Sequence, residues 1–151
     1  MNRVERLQAS LEEPLLVSNL VNLRYLVGFE SSNAALLVEP ERAQLFSDFR
    51  YAELGRSVEG VEFIETKRSL FDALAELIEG RIGFEADHVT YARWETLGKG
   101  GLELVPRRGL VEELRAVKDE AELEAVRNAA ALTSEAYARF AEERFVGRTE
   151  R

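Results

Sequence analysis

The chain contains no cysteine, one histidine and three prolines in 151 residues. The missing thiols exclude a disulfide framework, a thiolate metal site and a cysteine nucleophile, and they agree with a cytoplasmic setting. No apolar run approaches the roughly 18 to 20 residues that a membrane span requires. The opening Met1-Asn2-Arg3-Val4-Glu5-Arg6 lacks the apolar centre of a secretion signal. Positive charge is scarce as well: 20 Lys and Arg stand against 28 Asp and Glu, for a net charge of -8. That balance disfavours a nucleic-acid or anionic-membrane partner, because either needs a basic surface to displace counterions. Internal repeats and low-complexity segments are also lacking.

What is present fits one soluble domain with a sizeable core, at 46% hydrophobic and 32% charged residues. The chain is organised around Leu15 to Val38, where two apolar runs flank a polar middle. Leu15-Leu16-Val17 reads as a strand buried on both faces. Ser18-Asn19 offers a helix cap, and Leu20, Leu23, Leu26 and Val27 share one helical face that Gly28 can close. Phe29 to Asn33 reads as a loop and Ala34 to Val38 as the next strand.

Around this centre, residues 2 to 12 are expected to form a short amphipathic helix. Glu39-Pro40-Glu41-Arg42 marks a turn joining antiparallel strands 34 to 38 and 43 to 47. Asp48 can cap a helix reaching about Ser57, and Val61 to Ile64 follows as a strand. A helix with Leu70, Leu74, Leu77 and Ile78 inward runs from Thr66 or Ser69 to Gly80. Ile82 to Phe84 is a strand, Thr90 to Lys99 a helix with Trp94 and Leu97 inward, and Leu102 to Val105 a last strand ended by Pro106. Alternating strands and helices with one hairpin imply a three-layer α/β domain around a mixed sheet of about six strands. From Leu110 the pattern is uninterrupted helix, with a capping box at Asp119 and Glu122. Leu123, Val126, Ala130, Thr133, Tyr137 and Phe140 then form an apolar stripe. A helix to Phe145 would be about 40 Å long, so part of that stripe is expected to be exposed or covered by a partner.

Four segments carry a resemblance. Asn22-Leu23-Arg24-Tyr25-Leu26-Val27-Gly28-Phe29 with Ser31-Ser32-Asn33-Ala34 is the first, and Phe46-Ser47-Asp48-Phe49-Arg50-Tyr51-Ala52-Glu53 is the second. The third is Ile82-Gly83-Phe84-Glu85 with Val89-Thr90-Tyr91, and the fourth runs from Leu114 to Leu123. In this order they resemble the N-terminal part of the creatinase, prolidase and Xaa-Pro aminopeptidase family. The resemblance implies a ribonuclease H-like N-terminal domain at 1–110, and at 111–151 a linker and the first helix toward a catalytic domain of pita-bread fold. It also implies two divalent metal ions, of the manganese or cobalt class, held by two Asp, one His and two Glu. All five positions would lie beyond Arg151, because Val146-Gly147-Arg148-Thr149-Glu150 resembles a turn at the start of the catalytic domain. In such homodimers a loop matching Phe29, Ser31, Ser32 and Asn33 borders the neighbouring subunit's pocket, although serines stand here where creatinase has an arginine. The expected substrate of the parent is a proline-containing peptide, and this chain alone is expected to be inactive.

The residues themselves leave other readings open. Asp48, Arg50 and Tyr51 suit a structural role, Asp48 as a cap and Arg50 as a fork-like partner. Asn22, Arg24 and Tyr25 could cap, solvate and pack or touch a substrate, and Arg24 beside Tyr25 could fix a helix or recognise a carboxylate. His88 sits in Glu85-Ala86-Asp87-His88, whose adjacent residues rarely converge on a metal. Glu12-Glu13, Glu112-Glu113 and Glu142-Glu143 read as solvated faces, and Gly98-Lys99-Gly100-Gly101 as a helix stop rather than a phosphate loop. A free-standing ligand- or protein-binding domain is one alternative. A small enzyme with its own site at Asp48, Arg50 and His88 is another.

Overall fold

The structure, a computed structural model, describes residues 1–143, 146, 147 and 149, in two compact units, Met1–Arg115 and Ala116–Arg151. In the first unit the strands are β1 (Leu15–Val17), β2 (Ala34–Val38), β3 (Ala43–Asp48), β4 (Glu62–Thr66), β5 (Arg81–Glu85) and β6 (Glu103–Arg107). They form one mixed sheet in the order β4-β3-β2-β1-β5-β6. Only β2 runs against its neighbours, so β1, β3, β4, β5 and β6 all end on the edge where β2 begins. In open α/β sheets, loops on the carboxyl edge are where side chains of different elements meet.

Helices α1 (Arg3–Gln8), α2 (Leu20–Val27), α3 (Ala52–Arg56), α4 (Leu70–Leu77), α5 (Tyr91–Lys99) and α6 (Leu110–Ala116) surround the sheet. Alternation along the strands divides the core between the two faces. Leu15, Val17, Leu36 and Leu45 pack with Leu7, Leu23, Leu26, Phe29 and Val111 on one face. On the other, Leu16, Leu37 and Phe46 pack with Leu70, Leu74, Ile78 and Leu97. Gly100 lets α4 and α5 meet, since a Cβ there would fall 2.2 Å from the Ala75 carbonyl oxygen.

Several expectations need correction. The first helix stops at Gln8 rather than residue 12, because Ser10 turns back onto Leu7 through both its amide and its hydroxyl. Trp94 is 41% exposed and lies against Tyr91, with ring centroids 5.6 Å apart, while Leu97 alone on α5 is buried. Leu77 is likewise exposed. Strand β4 extends to Thr66, and β6 runs through Pro106 instead of ending there. Proline lacks an N–H for the ladder, but β6 is an edge strand, where that loss is tolerated. Glu13 is not solvated: its largely buried carboxylate accepts from Arg107 at 2.6 Å and Arg81 at 3.3 Å.

The helical tail is also interrupted: α6 ends at Ala116, and α7 (Glu120–Glu142) starts anew from Asp119. Asp119 Oδ1 accepts from the Glu122 amide while Glu122 accepts from the Asp119 amide, both at 2.9 Å. That reciprocal cap satisfies two otherwise orphan donors and so defines a fresh helix start. At 23 residues α7 is about 34 Å long, and none of its residues is buried. The expected extension to Phe145 and the turn at Gly147-Arg148-Thr149-Glu150 fall on Arg144, Phe145, Arg148 and Glu150, outside the described residues.

Candidate functional site

The loop from Gly28 to Asn33 leaves α2 and enters β2 on the sheet edge where β3 ends. Gly28 makes that exit possible, with φ 69 at the helix C-cap, a left-handed conformation that glycine adopts without steric cost. The next residue, Phe29, is buried and meets Tyr51 edge-on at 6.2 Å between ring centroids.

The Asp48-Phe49-Arg50-Tyr51 turn holds the other end of the loop. Asp48 is fully buried at the end of β3 and accepts four hydrogen bonds. Arg50 supplies three of them: Nε and one terminal nitrogen at 2.8 Å each, and its amide at 3.2 Å. Asn33 Nδ2 supplies the fourth at 2.7 Å and also reaches the Arg68 carbonyl at 3.1 Å. Ser47 completes the closure by donating to the Asn33 carbonyl at 2.7 Å. The forked Arg50 contact holds the Asp48 carboxyl far below the usual carboxylate range; burial opposes it and Asn33 reinforces it. Tyr51 OH accepts the Ser32 amide at 3.1 Å and lies 2.8 Å from the Ser32 hydroxyl. Those Ser32 contacts lower the phenol pKa, the side-chain bond most and the backbone bond next.

Arg24 and Tyr25 point elsewhere. Arg24 forms an exposed ion pair with Glu30 at 3.0 Å. Tyr25 donates to the Leu114 carbonyl at 3.1 Å, and the Arg3 guanidinium lies 4.2 Å from its ring centroid. Asn22, which the sequence leaves open between a capping or packing role and a substrate contact, is fully buried, and its partners are what sequence reasoning misses. Its Nδ2 donates to Glu85 and Glu112 at 2.6 Å each, and its Oδ1 accepts from Arg115 at 2.8 Å. Glu85 also accepts the Ser18 and Asn19 amides at 2.7 Å, so it occupies the N-terminus of α2 with the chain's own carboxylate. The available signal was spacing: Asn22 lies four residues before Leu26, on the apolar side of α2.

The Glu85, Asp87 and His88 group does not assemble as a ligand set. Glu85 is engaged with α2, and Asp87 pairs with Arg108 at 3.3 Å. Among the described residues no group of three or more His, Asp or Glu side chains could hold a metal ion. The donor set needed for the two ions that the resemblance implies is therefore not met there. What the edge does provide is a loop tied at one end to the buried Asp48 carboxylate, which the exposed Arg50 forks, and at its crest to the half-buried Tyr51 phenol.

Comparison with known proteins agrees with this architecture. The family model described as Creatinase/Prolidase N-terminal domain matches residues 3–117. An uncharacterized peptidase of Bacillus subtilis, YqhT, is 32% identical over 137 residues, which cover 86% of this chain and 38% of that protein. The solved Xaa-Pro dipeptidase of Bacillus anthracis is similar with a TM-score of 0.84 and 27% identity, over 91% of this chain and 41% of that one. The N-terminal domain of the cytoplasmic peptidase PepQ from Mycobacterium tuberculosis is 32% identical with a TM-score of 0.66, over 74% of this chain and 97% of that one. The chain thus spans well under half the length of the first two proteins.

Proposed function

This chain belongs to the family of creatinase/prolidase N-terminal domains, and from that premise we propose that it is the non-catalytic N-terminal part of a cytoplasmic, dinuclear Xaa-Pro dipeptidase or aminopeptidase. Its catalytic partner domain carries the two divalent ions and cleaves proline-containing peptides. This part contributes substrate access and homodimerisation, with Ser31, Ser32 and Asn33 bordering the neighbouring subunit's pocket and Phe29 anchoring them from beneath. Residues 111–151 form the linker and first helix toward the catalytic domain, which covers the apolar stripe of α7.

The observation that carries the reading is one of extent. The similarity fills 97% of a peptidase's separately solved N-terminal domain but only 41% of a longer dipeptidase. The closed loop at the sheet edge supports the access role, because a preformed rim adds no ordering cost when substrate binds.

Incubation of the 151-residue chain with Xaa-Pro dipeptides and manganese or cobalt tests the proposal. No release of proline above the metal blank is expected, and turnover that scales with protein concentration would overturn the non-catalytic assignment.

A further inference from the structure

Three consecutive contacts tie the loop to the turn after β3, and they differ in kind. Phe29 is held by burial, and Asn33 by a bond to a carboxylate that is itself fully buried and forked by Arg50. Ser32 lies between them and is exposed, and the Tyr51 phenol meets both its amide and its hydroxyl. The remaining ties on the crest are weak: Glu30 has an exposed ion pair with Arg24, and the buried Ser31 hydroxyl oxygen has no partner among the described residues. Tyr51 is itself fixed from two sides, by the Phe29 ring at 6.2 Å and the Arg50 guanidinium 5.2 Å from its centroid.

We propose that Tyr51 is a positioning residue, whose phenol latches Ser32 and thereby sets the main-chain shape of the loop crest before any substrate arrives. The inference rests on the access role proposed above for its consequence, but not for its geometry. Burial and the Asp48 fork fix the two ends of the loop, so they leave the crest between them free to choose a conformation. The Tyr51 to Ser32 contact removes that choice. Because its partner is solvent-facing, this contact is also the one that can open without disturbing the core. Loss of the phenol then loosens the crest while the sheet, the Phe29 anchor and the Asn33 tie stay in place.

Amide hydrogen exchange on the 151-residue chain, comparing wild type with Tyr51→Phe and Ser32→Ala, tests this. Tyr51→Phe keeps the ring and deletes only the oxygen. The Ser32 amide should then exchange roughly tenfold faster, while the amides of β2 keep their protection. Ultraviolet titration of tyrosinate gives a readout that packing alone would not move. Wild type should show a phenol ionising below the ordinary tyrosine value; Tyr51→Phe should lack it, and Ser32→Ala should move it upward. Unchanged exchange at Ser32 in Tyr51→Phe, or unchanged phenol titration in Ser32→Ala, would overturn the latch. Neither measurement uses substrate or a catalytic domain, so failure of the peptidase assignment would leave both results standing.

Discussion

Helices α2 and α7 have the same apolar spacing of three and four residues but opposite burial. In α2, Leu23 and Leu26 are buried, and so is the polar Asn22. In α7, Leu123, Val126, Tyr137 and Phe140 repeat just as regularly, and every one is exposed. Periodicity therefore identifies a helix and its apolar side, whereas burial depends on what faces that side. For α2 the facing surface is the sheet, where Leu23 and Leu26 share one core cluster with Leu15, Val17, Leu36 and Leu45. On the proposed reading, the matching surface for α7 belongs to a catalytic domain.

Substitutions can break or sharpen that contrast. The largest effect is expected for Leu23→Ala, which empties a fully buried site and should cost about 4 kcal/mol in chemical denaturation. Asp48→Ala follows at about 3 kcal/mol, since it removes a cap and leaves Asn33 and Arg50 without their shared acceptor. The same carboxylate sets an acid limb. Its folded pKa is depressed, so its stabilisation is complete above the unfolded value of about 4 and is lost as pH falls below it. Thermal unfolding between pH 5 and pH 2 should fall more steeply in wild type than in Asp48→Asn. The smallest effect is expected in α7, where the double substitution Val126→Gln and Tyr137→Gln should change stability by under about 0.5 kcal/mol. A loss as large as that of Leu23→Ala would show that the α7 stripe is already covered within this chain.

The fold was largely legible because its signals are local and agree with one another. Asn19, Asp48 and Asp119 cap where their spacing suggested, Gly28 closes α2, and the 39–42 turn joins an antiparallel pair. The misses came where tertiary context overrode a local rule. Pro106 reads as a strand end because its position on the sheet edge is invisible in sequence, and Trp94, three residues before the buried Leu97, reads as inward although it lies against Tyr91 at the surface. At the sheet edge, the loop and the Asp48 turn could each be singled out. Their joining through Asn33 and Ser32 could not, because pairs 15 and 19 residues apart leave no periodic trace. Asn22 shows the same limit, since its partners Glu112 and Arg115 lie about ninety residues away.

The proline within β6 also bears on how copies of this chain can meet. At that margin an incoming strand finds a backbone short of one donor, and at the opposite margin β4 presents the exposed carboxylates of Glu62 and Glu65. Both rims thus carry devices that blunt a sheet edge, the missing donor at one and charged side chains at the other. Strand-by-strand joining of one molecule's sheet to the next is thereby disfavoured at both margins.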